Sequence, residues 1–464
     1  MSRKPRAGLL PLYLALYDEA TPEMRGPVEA FLGEVADGLA AQGLEVTRAP
    51  VCRVEEEFRA AVAEFETQDV DVLVTLHLAY SPSLESADAL VGTRLPIVIL
   101  DTTPDYDFGP GVDPARISFN HGIHGVQDLA NLLRRRGKPF EIVAGHMAES
   151  DVLPRAAGLV RAAYAARRLR ATCALRIGES FRGMGDFAVP EAALNRALGI
   201  AVTQVGPEAL ASAAAEVSDD AVAAEMALDR ERFTVEAGEE TRRRSVRVGL
   251  ALRSYLEAGR FDAFSVNFLA FDSPEPPVDT VPFLEISKAM SRGLGYAGEG
   301  DVLTASLVGA LLSAWEETTF TEIFCPDWKG DALFLSHMGE INPAVAAAKP
   351  LLCEKPFSYT RAQNPAALAC GVRAGPAVLV NLAPLADDAF RLIVAPVEVL
   401  GDGTHPEMRT KVRAWVRPAG EVGTFLEEYS RLGGTHHSAL VLGDCAEALA
   451  AFARFVDMEC SQIG

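Results

Sequence analysis

Three short polar segments hold the residues best suited to chemistry: Gly298-Glu299-Gly300-Asp301, Ser336-His337-Met338-Gly339-Glu340 and Gly433-Gly434-Thr435-His436-His437. Each adjoins an apolar run, and only a fold can bring them together. Two carboxylates and an imidazole, Glu299, Glu340 and His437, suit Mn²⁺ or a similar divalent ion, because oxygen and imidazole ligands match the harder first-row metals. Such an ion polarises a carbonyl and holds neighbouring hydroxyls while carboxylates move protons, which is what aldose–ketose isomerisation requires. Gly298 and Gly300 leave room on both sides of Glu299 for a ligand. The plainer account is that Glu299 and Asp301 open a helix and gain ~0.3–1 kcal/mol from its dipole. For Glu340 the plain account is an edge-strand turn before Asn342-Pro343. Adjacent residues of a strand face opposite ways, so one of His436 and His437 is expected in the site and the other beside it.

Elements must position these groups. Apolar runs of strand length (9–16, 70–76, 95–100) alternate with amphipathic stretches of helix length (21–42, 54–66), a β-α-β rhythm. The pattern continues with a helix over 124–136, a strand over 140–144 and a connecting helix over 150–170. It restarts with strands at 172–177, 201–205 and 263–267 and a long helix over 237–258. Ligands of such open sheets sit beyond the carboxyl ends of the strands, where Asn267 and Glu299 fall. From about 319 strands follow one another without helices (351–353, 377–382, 390–396, 411–416), and helices at 422–431 and 445–455 close the chain. The expected fold is α/β: two Rossmann-like parallel-sheet domains followed by a C-terminal β-barrel domain. The boundaries are 1–165, 166–320 (with the Glu299 segment) and 321–464 (with Glu340 and His437).

The chain of 464 residues exceeds what one hydrophobic core serves. A net charge of −21 repels polyphosphates and anionic lipid, which argues against nucleic acid or a membrane as partner and favours a small neutral ligand. Seven scattered cysteines without a Cys-x-x-Cys pair point to a reducing cytoplasm. The basic start is followed by a short stretch interrupted by Pro11, which reads as a first strand and not a signal peptide. No run reaches the ~20 apolar residues that span a bilayer.

The run from Gly293 to Asp301, with Ser336-His337-Met338-x-Glu340 and Gly434-Thr435-His436-His437, resembles the L-arabinose isomerase family and its L-fucose isomerase relatives. Asn120-x-x-x-His124-Gly125 looks like the family's N-terminal segment that reaches an active site, and Phe261 to Phe264 with Asn267 like the strand before its metal-binding portion. The resemblance implies Glu299 and Glu340 as metal-binding carboxylates that also form the acid/base pair, and His437 as a metal ligand. It implies His436, His124, Asn120 and Asn267 near the sugar, sites shared between subunits of a trimer or hexamer, and a small sugar as substrate.

One family feature is missing. The family has a further metal-binding histidine after Glu340, and alignment puts Pro356 there. Glu354 is expected to replace it; Lys355 could instead supply a fixed cation or a Schiff base, or the site could retain sugar binding alone. The alternatives to isomerisation are epimerisation, carbon–carbon cleavage and non-catalytic sugar binding.

Overall fold

The computed structural model describes residues 3–401, 403 and 405–464, so the first two residues of the expected N-terminal domain lie outside it. The chain forms two compact units, Arg3–Tyr164 and Ala165–Gly464. In the first, strands β1 (Arg6–Leu12), β2 (Glu45–Arg48), β3 (Val72–His77), β4 (Ile97–Asp101) and β5 (Glu141–Ala144) make a parallel sheet of order β2-β1-β3-β4-β5. All six residues of β3 are buried. That is the composition of a strand covered on both faces, and it explains why this segment reads as a continuous apolar run.

In the second unit come β6 (Cys173–Ile177), β7 (Ala201–Val205), the two-residue β8 (Thr234–Val235), β9 (Ala263–Val266) and β10 (Gly295–Gly298). Strands β10-β9-β6-β7 form a second parallel sheet. The rest of the unit is built from β11 (Thr318–Asp327), β12 (Ala332–Ser336), β13 (Leu351–Glu354), β14 (Ala366–Ala369), β15 (Gly375–Pro384), β16 (Phe390–Val399), β17 (Ala414–Pro418), β18 (His437–Leu442) and β19 (Glu459–Gln462). Pairing runs β15-β18-β11-β12-β17-β16 and returns from β16 to β15, closing a six-stranded antiparallel barrel to which β19 adds in parallel. Strands β14-β13-β8 form a separate small sheet. The expected α/β architecture with two parallel sheets and a terminal barrel is therefore present.

Helix Val302–Leu312 joins the two layers of the second unit. All eleven of its residues are buried, and it packs on β9 and β10 on one side and on β11 and β18 on the other. A helix apolar around its whole circumference has no solvent face to offer, and the sequence Val-Leu-Thr-Ala-Ser-Leu-Val-Gly-Ala-Leu-Leu supplies none. Gly295 and Gly309 let strand and helix approach until a Cβ on Gly295 would lie 2.1 Å from the Ala305 carbonyl.

Candidate metal and catalytic centre

Glu299 occupies the turn between β10 and this helix with φ +64°, a left-handed conformation rare outside glycine and costing ~1–2 kcal/mol. Its backbone is held on both sides: its N–H donates to the Val266 carbonyl at 2.9 Å and its carbonyl accepts from Phe181 N–H at 2.8 Å. Gly300 presses on the 179–180 backbone, where a Cβ would lie 2.6 Å from the Glu179 carbonyl. Asn267 secures that segment by donating from Nδ2 to the same carbonyl at 2.8 Å. The helix cap is Asp301, whose Oδ1 accepts from Thr304 N–H at 2.9 Å, so Glu299 is not a first-turn residue.

Three imidazoles face this turn, and a carboxylate grips the Nδ1 of each. His437 Nδ1 lies 3.0 Å from Asp301 Oδ2, His436 Nδ1 2.6 Å from Asp186 Oδ2, and His337 Nδ1 2.8 Å from Glu340 Oε2. A carboxylate on one ring nitrogen fixes tautomer and orientation and turns the other nitrogen outward as a ligand. Accordingly, the Nε2 atoms of His436 and His437 stand 3.7 and 3.6 Å from Glu299 Oε2, and His337 Nε2 stands 3.9 Å from Glu322 Oε2. Among the described residues two groups have ligand atoms within 4.8 Å of one another: Glu299, His436 and His437, and Glu322, His337 and His437.

The first group fits a divalent ion on its own evidence. Glu299 Oε2, His436 Nε2 and His437 Nε2 are buried and find no hydrogen-bond partner among the described residues. Buried polar atoms are costly unless paired or bound to a metal. Their separations are too long for hydrogen bonds but suit two ligands of one ion with bonds of about 2.0–2.2 Å.

Both tandem histidines reach Glu299, which corrects the expectation that only one would. His436 precedes β18, so strand alternation does not govern the pair. The loop that turns them is clamped by Asn381 of β15, whose Nδ2 donates to Thr435 Oγ1 and to the His437 carbonyl, each at 2.6 Å. Gly434 is required because a Cβ there would lie 2.3 Å from the Tyr429 ring. Aromatic rings wall the imidazoles: Phe187 stacks on His437 at 5.1 Å and 10°, and Phe320 meets His337 and His437 edge-on at 4.8 and 5.0 Å.

Burial and pairing set the proton affinities. Burial disfavours a charged His436, but the hydrogen bond to Asp186 and the charges of nearby carboxylates outweigh it and raise the ring to about 10. Against its own desolvation Asp186 falls to about 2 through the same contact. Burial raises Glu322. Glu340, although buried, is lowered, chiefly by His337.

The remaining expected residues lie as follows. Glu340 is in neither ligand group; Oε1 accepts from Tyr296 Oη at 2.9 Å and Oε2 from Gly339 N–H at 2.7 Å as well as facing His337. Glu354 is exposed at the end of β13, outside the barrel, with its oxygens taken by Thr241 Oγ1 at 2.5 Å and Asn364 Nδ2 at 2.9 Å. Lys355, depressed by burial against the pull of Glu340, lines a cavity of about 40 Å³ with Gly339, Cys353 and Pro356. In the N-terminal unit, Asn120 spends its amide on Asp105 and the Arg116 carbonyl. His124 is exposed, with Nδ1 2.7 Å from His121 Nε2 and its ring 4.8 Å from Tyr80. Glu322, Asp186 and the orienting role of Asp301 were not anticipated.

A parallel α/β sheet is joined here to a closed barrel, and the two carry between them a candidate metal centre of carboxylate-anchored histidines. Residues 176–314 match the model of the L-arabinose isomerase central domain, and 317–459 that of the L-arabinose isomerase C-terminal domain. The chain belongs to the L-arabinose isomerase family. It is similar to the L-arabinose isomerase of Acidothermus cellulolyticus, at 27% identity over 92% of this chain and 87% of that one. It is also similar to those of a Nocardioides species (28%, 90% and 85%) and of Anoxybacillus flavithermus (26%, 88% and 84%).

Proposed function

We propose that this chain is a ketol isomerase that interconverts an aldose and a ketose through an enediol, with a divalent cation, Mn²⁺ foremost, as cofactor. The observation that carries this reading is the convergence of Glu299 Oε2 with the Nε2 atoms of His436 and His437, all buried and without partners among the described residues. A cation bound there would polarise the substrate carbonyl and the adjacent hydroxyl. Glu299 takes the proton from the carbon beside the carbonyl and returns it to the neighbouring carbon. His436, its ring fixed by Asp186, exchanges a proton with the substrate oxygen. Tyr296, Gly339 and Glu340 hold His337 in register behind them. We further read the protein as a homo-oligomer in which His124 meets the sugar of a neighbouring subunit. Its exposure and its partnership with His121 support this.

The names of the relatives make L-arabinose the first substrate to offer. In D₂O with Mn²⁺, the protein should convert it or another aldose to the ketose, with deuterium entering at the exchanged carbon, as followed by NMR. Glu299→Gln should lower kcat by roughly 10²–10⁴ while the protein remains folded. Full turnover in this variant would refute the assignment.

A further inference from the structure

We propose that the second unit carries a separate binding site for a phosphorylated sugar or polyol, in a cleft between helix Asp219–Arg232 and helix Phe283–Ser291. The cleft encloses about 580 Å³, within the ~300–1,000 Å³ of small-molecule sites. It lies at the opposite end of β10 from the candidate centre, since Ser291 and Arg292 line it just before that strand and Glu299 follows the strand. No residue of either ligand group belongs to its lining.

Charge gives the cleft its selectivity. Four cations, Arg232, Arg253, Lys288 and Arg292, line it beside one carboxylate, Glu225, and two further carboxylates, Asp229 and Glu285, stand behind. Buried Lys288 is committed to Glu225 and Asp229, and Arg253 spends its fork on Glu225 and Glu285. Arg292 gives Nη2 to Glu285, and its Nε and Nη1 stay unpaired among the described residues. The guanidinium of Arg232 has no hydrogen bond or ion pair among the described residues. One positive charge is thus left over, and it coincides with the free donors. The chain as a whole, at −21, repels phosphates, but this cleft reverses the sign locally. Planar guanidinium forks match phosphate oxygens two at a time.

The rest of the lining suits a sugar body. Ser291 Oγ donates to the Lys288 carbonyl at 2.7 Å, which leaves its lone pairs to accept from a hydroxyl. Glu225 Oε2 accepts from Arg253 Nη1 at 3.1 Å and has a second lone pair to offer. Phe233, Pro343 and Pro350 supply apolar surface for the C–H face of a ring, and exposed Leu228 adds to it. A bare anion would use only the arginines and a neutral sugar only the acceptors and the apolar wall, whereas a phosphorylated sugar engages all three. The site is also preformed. Every residue from Phe283 to Met290 is buried, and the ion network holds Lys288 and Arg253 in place, so little ordering opposes binding. None of this depends on the isomerase reading.

The test is isothermal titration calorimetry of the full chain at fixed ionic strength, with glucose 6-phosphate, inorganic phosphate and glucose as probes. Glucose 6-phosphate should bind more tightly than either of the others. Arg232→Ala should weaken it by about tenfold or more, and Arg232→Lys, which keeps the charge and loses the fork, by less. Arg230→Ala, on the same helix, exposed and outside the lining, should leave affinity unchanged, as should Glu299→Gln. Equal losses in Arg230→Ala and Arg232→Ala would reduce the effect to general surface charge and overturn the proposal. A loss in Glu299→Gln would move the ligand to the candidate centre and overturn it equally. Equal affinity for inorganic phosphate and glucose 6-phosphate, or no binding of either, would do the same. So would a changed oligomeric state of Arg232→Ala on size-exclusion chromatography, which would assign the cleft to a subunit interface.

Discussion

Glu299 is the residue where backbone and chemistry conflict. A left-handed φ at a non-glycine is retained only where surrounding structure enforces it, and here Val266 and Phe181 do so from either side. Glu299→Gly and Glu299→Ala both remove the carboxylate, but only glycine relieves the backbone. The glycine variant should be the more stable by about 1–2 kcal/mol, measured by urea unfolding; equal stabilities would show that the turn is unstrained. The glycines around Glu299 and the tandem histidines made this residue and its partners legible in the sequence. Glu322 was not legible, because in Thr-Thr-Phe-Thr-Glu-Ile its acidic side chain reads as a solvent face. What reveals it is its pairing opposite His437, a register between strands more than a hundred residues apart. Asp186 lies in a loop with no motif and meets His436 across 250 residues, so no local pattern could have disclosed it.

Among the elements, helix Phe283–Ser291 bears an ion network that no local pattern announces. Lys288 is 3% exposed and reaches Glu225 at 2.8 Å and Asp229 at 2.5 Å, while Arg253 bridges Glu225 and Glu285. Against its own burial, Glu225 is held down to about 2 by Arg253 and Lys288. Lys288→Met leaves two buried carboxylates short of a partner and should cost about 3–5 kcal/mol, read as a shift in urea midpoint; a change below 1 kcal/mol would contradict it. Periodicity located the long elements well: the helix expected over 124–136 is Gly122–Arg135, and that over 422–431 is Val422–Arg431. It failed where backbone bonding overrides propensity. The strand expected over 411–416 begins only at Ala414, because Lys411, Val412 and Arg413 follow a short helical turn and bond elsewhere.

For the molecule as a whole, acid should act through the N-terminal unit. His77, at the end of β3, is 3% exposed, and neither ring nitrogen has a partner among the described residues. Gly125 admits it, since a Cβ there would lie 2.5 Å from the ring. Burial lowers the ring from 6.5 to about 3, with Asp128 opposing only weakly. As pH falls, the unfolded chain takes up the proton first. The stability is therefore complete above the unfolded value and declines between 6.5 and about 3, by about 4–5 kcal/mol in all. Unfolding curves at pH 7 and 4.5 should differ by about 2–3 kcal/mol of this loss, and His77→Leu should flatten the dependence; an unchanged slope in the variant would assign it to other groups.

The buried helix 302–312 carries a consequence for how the protein melts. Pulling the barrel away from the parallel sheet would strip the cover from one flank of an eleven-residue apolar rod, and at ~25 cal/mol per Å² that exposure is prohibitive. Residues 165–464 should accordingly come apart in one calorimetric transition, with no heat-stable barrel left behind.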